Sequence, residues 1–179
     1  MTRYSYFFSV AFVLLLMSQL FMAYRTSRVE SPNYEVVKSF ENFEIRNYDA
    51  MVLAQTQMNS NVYEESSSMG FKTVANYIFG GNKDNQKIAM TSPVIMEMGE
   101  SSKMSFVMPK EHSFESLPEP NSESVELIQM QPKTYAVLEF TGFANDNKIQ
   151  KHSKRLLQFL KSERLTPVGN MKYLGYNPP

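Results

Sequence analysis

Residues 77–94 read YIFGGNKDNQKIAMTSPV, and the reading of this stretch decides the fold. It opens on the apolar end of a helix (Tyr77, Ile78, Phe79) that runs into Gly80-Gly81. Glycine just past the last periodic residue is a common helix stop, because it takes a left-handed backbone without a Cβ penalty. Residues 82–85 are turn formers and predict a polar loop. Residues 88–91 (IAMT) then predict a strand, and Pro93 keeps that segment from being an ordinary central strand. The physics is a helix–turn–strand junction.

Working outward, Phe71, Val74, Ala75 and Ile78 share one helical face, with Ser67 one turn earlier, and predict a helix over 62–79. Before it lie three strand-like runs, at 34–40, 43–48 and 51–58. After it, Val94, Met96 and Met98 alternate with Ile95 and Glu97. Met104, Phe106 and Met108 alternate with Ser105 and Val107, so a hairpin with a methionine-rich face is predicted. Residues 110–124 (KEHSFESLPEPNSES) form a connector. Strands at 125–131 and 134–141, a helix over 146–164 and a last strand at 171–176 follow. The second helix presents Ile149, Ser153, Leu156, Leu157 and Leu160 on one face. Strand–strand–helix–strand thus occurs twice, a repeat of pattern without a repeat of letters. The class is α+β, with two helices on an antiparallel sheet or distorted barrel.

The 179 residues include no cysteine, no tryptophan and 13 methionines, with formal net charge +0. No global field favours nucleic acid, and disulfide, thiolate and cysteine–metal chemistry are excluded. Residues 1–24 carry the apolar run FFSVAFVLLLMSQLFMA, long enough for a membrane anchor and equally suited to a signal peptide. Residues 25–33 read as a linker and 34–179 as the folded domain. The expected location is therefore membrane-anchored or exported.

Candidate chemistry is sparse. His112 sits in the polar connector, and His152 at the edge of the second helix's apolar face, where half-buried packing is the plain reading. No second histidine lies near either, which argues against a protein-only zinc site. No serine occupies a GxSxG elbow, and Gly80-Gly81 follows a helix, whereas phosphate loops precede one. Glu44 and Glu139 are a carboxylate pair that could converge across the repeat. Lys148, Lys151, Lys154, Arg155, Lys161 and Arg164 lie off the apolar stripe and read as a solvated face, or as a patch for anions or a membrane surface. The methionines fit core filling, a pocket for a flat apolar ligand, or thioether binding of Cu(I).

The segments YEVVKSFENFEIRNY, GFKTVANYIFGGNKDNQKIAMTSPV, MSFVMP, LPEPNSESVEL, YAVLEFTGF and LGYNPP resemble the SOUL/haem-binding protein family over residues 34–179. The resemblance implies two pseudo-symmetric strand–strand–helix–strand repeats in a distorted antiparallel β-barrel flanked by two helices. It implies non-catalytic binding of haem or another tetrapyrrole in a shallow apolar pocket beside the first helix. Carried onto this chain, that pocket comprises Phe71, Lys72, Ala75, Asn76, Met171 and Tyr173. Asn47 stands where some members carry a histidine proposed as the iron ligand, and Ser68 and Asn76 where others carry basic residues. Relatives continue beyond YNPP with another strand, so either an unpaired sheet edge or a truncation relative to those relatives is expected. Two other functions fit the architecture: a small-molecule hydrolase or effector-binding domain of the gyrase-inhibitor-like type, and a membrane-surface adaptor. A buried Glu or Tyr titrating abnormally would favour the hydrolase.

Overall fold

The computed structural model describes residues 29–58, 60, 62–99 and 101–176, the side chains of 64–66 excepted, together with residues 8, 10, 12–15 and 17–19. Two compact units are resolved, Met1–Glu30 and Ser31–Pro179. In the first, the residues described between 8 and 19 are helical and exposed. Most of the expected anchor or signal peptide (residues 1–24) and residues 25–28 of the linker lie outside the described residues. No helix among the described residues is long and apolar enough to cross a membrane.

The second unit is α+β. Its elements run β1 (Tyr34–Ser39), β2 (Glu44–Tyr48), β3 (Met51–Gln57), α1 (Tyr63–Ile78), β4 (Val94–Met98) and β5 (Lys103–Val107). A 3₁₀ turn (Phe114–Ser116) leads to β6 (Val125–Met130), β7 (Lys133–Val137), α2 (Asp146–Ser162) and β8 (Met171–Gly175). The strands divide between two antiparallel sheets, ordered β1-β2-β7 and β6-β3-β5-β4-β8. No closed barrel joins them among the described residues, in contrast to the expected barrel, and β8 is an edge strand.

The deciding stretch folds largely as read. α1 ends at Ile78, Phe79 caps it, and Gly80 takes φ +109°. Residues 82–85 are not simply a polar loop, because Asn82 is 0% exposed. Its Nδ2 donates to the carbonyls of Tyr77 (3.0 Å) and Gln86 (2.7 Å), and its Oδ1 accepts from the Gln86 N–H (2.9 Å). The side chain thereby pins the loop to the last turn of α1 and satisfies backbone groups that burial would otherwise leave unpaired. The strand predicted at 88–91 does not form. Its backbone has no ladder partner there, and only an isolated bridge joins Lys87 to Phe79. The segment is held instead by the Ile88 N–H donating to the Ile78 carbonyl (2.8 Å) and the Thr91 hydroxyl donating to the Val107 carbonyl (2.6 Å). The Ser92-Pro93 peptide bond that leads into β4 is cis.

Strand alternation assigns the two faces of the larger sheet. Val52, Ala54, Val94, Met96, Met104 and Phe106 pack with Val74, Ala75, Tyr77 and Ile78 of α1 in the main core. Met108 joins the same cluster, so the methionine-rich face of the hairpin is core filling under α1. The Tyr77 hydroxyl, buried in this core, donates to the Pro118 carbonyl at 2.9 Å, and burial pushes its pKa up to about 12. A second core joins Phe43, Leu156 and Leu160 with Ile45, Ala136 and Leu138. On α2, Ile149, Leu156 and Leu160 are buried as expected, but Leu157 is 46% exposed, one step off the packed stripe.

The N-termini of the two helices are tied together. α1 has no side-chain cap of its own, and the Asp146 carboxylate in the first turn of α2 accepts the Tyr63 N–H at 2.8 Å. This places negative charge at a helix start, where unpaired N–H groups favour it.

Candidate functional site

The larger sheet's opposite face, away from α1, carries Leu53, Gln55, Ile95, Glu97 and Ser105. It forms one wall of a cavity of about 1250 Å³. Arg46 and Tyr48 of β2, the whole of β7, and Ile149, His152 and Leu156 of α2 supply further walls. Ligand pockets usually measure about 300–1,000 Å³, so this one has room for a large organic molecule. The lining is mainly apolar, with a few polar groups at defined positions.

At β2, Arg46 is the hub. Its guanidinium donates to Glu44 (2.8 Å) and to Glu139 (2.6 Å), and it lies 4.5 Å from the Tyr34 ring centroid. Burial alone would lower its pKa, but the hydrogen bonds from Arg46 to Glu139 and Glu44 outweigh that and raise it. Glu44 and Glu139 therefore converge as the sequence suggested. They meet on a buried arginine, one cation shared between two carboxylates.

The floor is more polar than its surroundings. Gln55 is buried and donates from Nε2 to the Ser105 hydroxyl at 2.9 Å, while its Oε1 has no hydrogen-bond partner. Glu97 accepts from Asn170 (3.1 Å) and from Lys172 in a close ion pair. Burial pushes the Glu97 carboxyl up, but the hydrogen bond and charge of Lys172, with help from Asn170 and Lys103, win and hold it below the usual carboxylate range.

His152 projects from α2 and stacks on Phe140, with ring centroids 4.3 Å apart and planes within 5°. Its Nδ1 is buried without a hydrogen-bond partner. Burial lowers its pKa, reinforced by the charges of Arg155, Lys148 and Lys151, so the imidazole is neutral at pH 7. Phe140 in turn lies 6.2 Å from Tyr173, which makes an edge contact at 5.5 Å with Tyr63 of α1. Burial raises the pKa values of Tyr135, Tyr173 and Tyr176.

The six residues assigned by resemblance fall into two groups. Met171 and Tyr173, on β8, line the cavity. Phe71 is half-buried 5.1 Å from Phe106, and Ala75 is buried in the same core; Lys72 and Asn76 are exposed on α1. None of these four lines the cavity. Asn47 does not line it either, and its Oδ1 accepts from the Thr134 hydroxyl at 3.2 Å. Gln55, Arg46 and Phe140 were missed. A polar Gln55 at an inward position of the apolar run MVLAQTQ was the available signal. His112 lies outside the cavity lining, and among the described residues no group of three or more His, Cys, Asp or Glu could hold a metal ion.

Comparison with known proteins agrees with the motifs. The family model described as SOUL heme-binding protein matches residues 29–179. The chain is 27% identical over 147 residues to the human protein named Heme-binding protein 2, covering 77% of this chain and 71% of that one. It is 23% identical over 145 residues to Heme-binding protein 1 of Xenopus laevis, covering 76% of each. With the mouse Heme-binding protein 2 it shares 26% identity over 164 residues, covering 84% of this chain and 80% of that one. The family match spans the whole of the second unit, and the chain belongs to the SOUL heme-binding protein family.

Proposed function

We propose that the domain binds haem or a related tetrapyrrole non-covalently and without catalysis, in the cavity walled by both sheets and α2. The carrying observation is the size and character of that cavity: about 1250 Å³, mainly apolar, with the unpartnered Gln55 Oε1 and the His152 imidazole in its lining. The relatives' printed names point to the same ligand class. A flat, largely apolar macrocycle with polar edges suits such walls.

The energetics are within reach. A micromolar complex needs about −8.2 kcal/mol, and association costs about 4–15 kcal/mol more. At ~25 cal/mol per Å², roughly 500–900 Å² of apolar surface must leave water. A shallow site on the exposed side of α1, where Lys72 and Asn76 lie, offers less enclosure than the cavity does.

The abnormal titration named as favouring a hydrolase is present in the cavity, but at its carboxyl and phenol groups it runs in the direction opposite to what such chemistry needs. Acid–base work near neutral pH needs a carboxyl raised, or a phenol lowered, toward 7. Glu97 is held low, and Tyr135, Tyr173 and Tyr176 are pushed up. The accompanying proposal, export or N-terminal tethering to a membrane, rests on the apolar run within residues 1–24.

The test is a haemin titration followed by absorbance, on the wild type, Leu138→Trp and Lys72→Glu. Leu138→Trp fills the cavity and should abolish saturable binding, while Lys72→Glu should leave it unchanged. Loss only in Lys72→Glu would move the site to α1, and no saturable binding to any of the three would sink the tetrapyrrole reading.

A further inference from the structure

We propose that the outer face of α2, together with Phe143, docks on the surface of an anionic lipid bilayer. The inference concerns the second unit alone and depends neither on the occupant of the cavity nor on the N-terminal apolar run. Between residues 141 and 164 the chain carries six basic residues against two acidic ones, Asp146 and Glu163, while the whole protein has formal net charge +0. The basic excess is therefore local, and the remainder of the chain is acidic on balance. Asp146 is already engaged at the Tyr63 N–H, and Glu163 stands at the C-cap of α2.

The helix sorts these charges onto one side. Its buried stripe is Ile149, Leu156 and Leu160. At about 3.6 residues per turn, Lys151, Lys154 and Arg155 fall on the side opposite that stripe, and Lys161 follows Lys154 two turns on. All four are exposed, and none takes part in an ion pair among the described residues. Their charge is thus available to a partner outside the domain.

An apolar element sits beside them. Phe143 is 97% exposed, in the turn before α2 where Gly142 takes φ +82°. The Lys148 ammonium donates to the Thr141 carbonyl and holds that turn against α2. Lys148, Lys151 and Arg155 stand three and four positions apart in succession, so they share a helical face and bring the turn to the basic side. On the other flank exposed Leu157 stands between Lys154 and Lys161, at three and four positions. Cations for the headgroups and a ring able to enter the acyl boundary are the combination that a charged membrane surface takes.

Two other partners fit less well. Single-stranded nucleic acid needs a run of aromatics along a basic groove, and Phe143 is the one exposed aromatic described between 141 and 168. A groove that accepts a helix takes it by its apolar side, and Leu156 and Leu160 on that side of α2 are committed to the domain's own core. Each basic residue near an anionic leaflet contributes roughly fivefold in affinity, so three together contribute roughly 100-fold.

The chain has no tryptophan, so Phe143→Trp places a single fluorescent reporter at the docking point. The full chain carrying it is mixed with vesicles of phosphatidylcholine alone, or of equal parts phosphatidylcholine and phosphatidylserine, with and without bromine on the acyl chains. With phosphatidylserine the emission should shift to the blue and be quenched by bromine, and both effects should fade as salt rises. With phosphatidylcholine alone neither should occur, even where the N-terminal run holds the chain on the vesicle. Adding Lys151→Gln, Lys154→Gln and Arg155→Gln should lower the docked-to-undocked ratio read from the shift roughly 100-fold. Lys151→Arg, Lys154→Arg and Arg155→Lys keep the charge and should preserve the response, with circular dichroism showing that every variant folds alike. An unshifted, unquenched reporter on the phosphatidylserine vesicles would overturn the proposal, as would an equal shift on both kinds of vesicle. Loss of the response in the charge-preserving variant would also overturn it, by pointing to a stereospecific protein partner.

Discussion

Asn82 offers the sharpest test of how the chain is held at its deciding stretch. It is 0% exposed, and its amide satisfies three backbone groups: the Tyr77 carbonyl at 3.0 Å, the Gln86 carbonyl at 2.7 Å and the Gln86 N–H at 2.9 Å. Asn82→Ala removes all three bonds without letting water in to replace them. At about 1 kcal/mol net per bond, the loss is about 3 kcal/mol. For a domain of this size that lowers Tm by roughly 6–12 °C. Asn82→Asp is the informative companion, because it keeps the shape and turns the Nδ2 donor into an acceptor facing two carbonyls. It should cost at least as much as Asn82→Ala. Urea unfolding followed by circular dichroism measures both, with an unchanged slope expected. A loss below about 1 kcal/mol in Asn82→Ala, the low end for a single bond, would refute the reasoning. So would an Asp variant clearly milder than the Ala variant.

Two further outcomes follow from nearby geometry and from titration. A Cβ at Gly81 would sit 2.4 Å from Asn76 Nδ2 and 2.6 Å from the Asn76 carbonyl oxygen. Gly81→Ala should therefore destabilise by about 1–3 kcal/mol, and adding Asn76→Ala should not rescue it, because the backbone oxygen remains; full rescue in urea unfolding would show that the side chain alone was the obstacle. The His152 pKa is lowered on folding, so its neutral form is preferred in the native state. Its contribution is intact above the unfolded value of about 6.5, and stability is lost as pH falls from there through the folded value, since the unfolded chain binds more protons in that window. His152→Gln should flatten this slope in urea midpoints measured between neutral pH and the carboxylate range, and an unaltered slope would assign it to other groups.

Much of the fold was legible because it rests on local rules. The stripe of Phe71, Val74, Ala75 and Ile78 located α1, Gly80 ended it, and period-two alternation put Met96, Met104 and Met108 on one buried face. The failures have physical causes. Residues 88–91 look like a strand, but strand formation needs a partner, and the sheet gives them none. Leu157 fits the helical stripe by residue type, yet the α2 contact is narrower than the stripe. The cavity was not legible beyond Met171 and Tyr173. Its walls come from strands far apart in the chain, as Arg46 and Glu139 illustrate at a separation of 93 positions. The sequence suggested that Glu44 and Glu139 meet, but nothing in it said that Arg46 would stand between them.

The bond between Asp146 and the Tyr63 N–H has a dynamic consequence. α2 forms part of the cavity wall, whereas α1 packs on the far face of the larger sheet. A shift of α2 that admits or releases an occupant pulls on Asp146, and with it on the one side-chain tether described for the first N–H of α1. Should the proposed occupant enter or leave by such a shift, that motion would loosen the start of α1. The Tyr63 amide proton becomes its natural reporter, exchanging with solvent at a pace set by how often the distant helix moves.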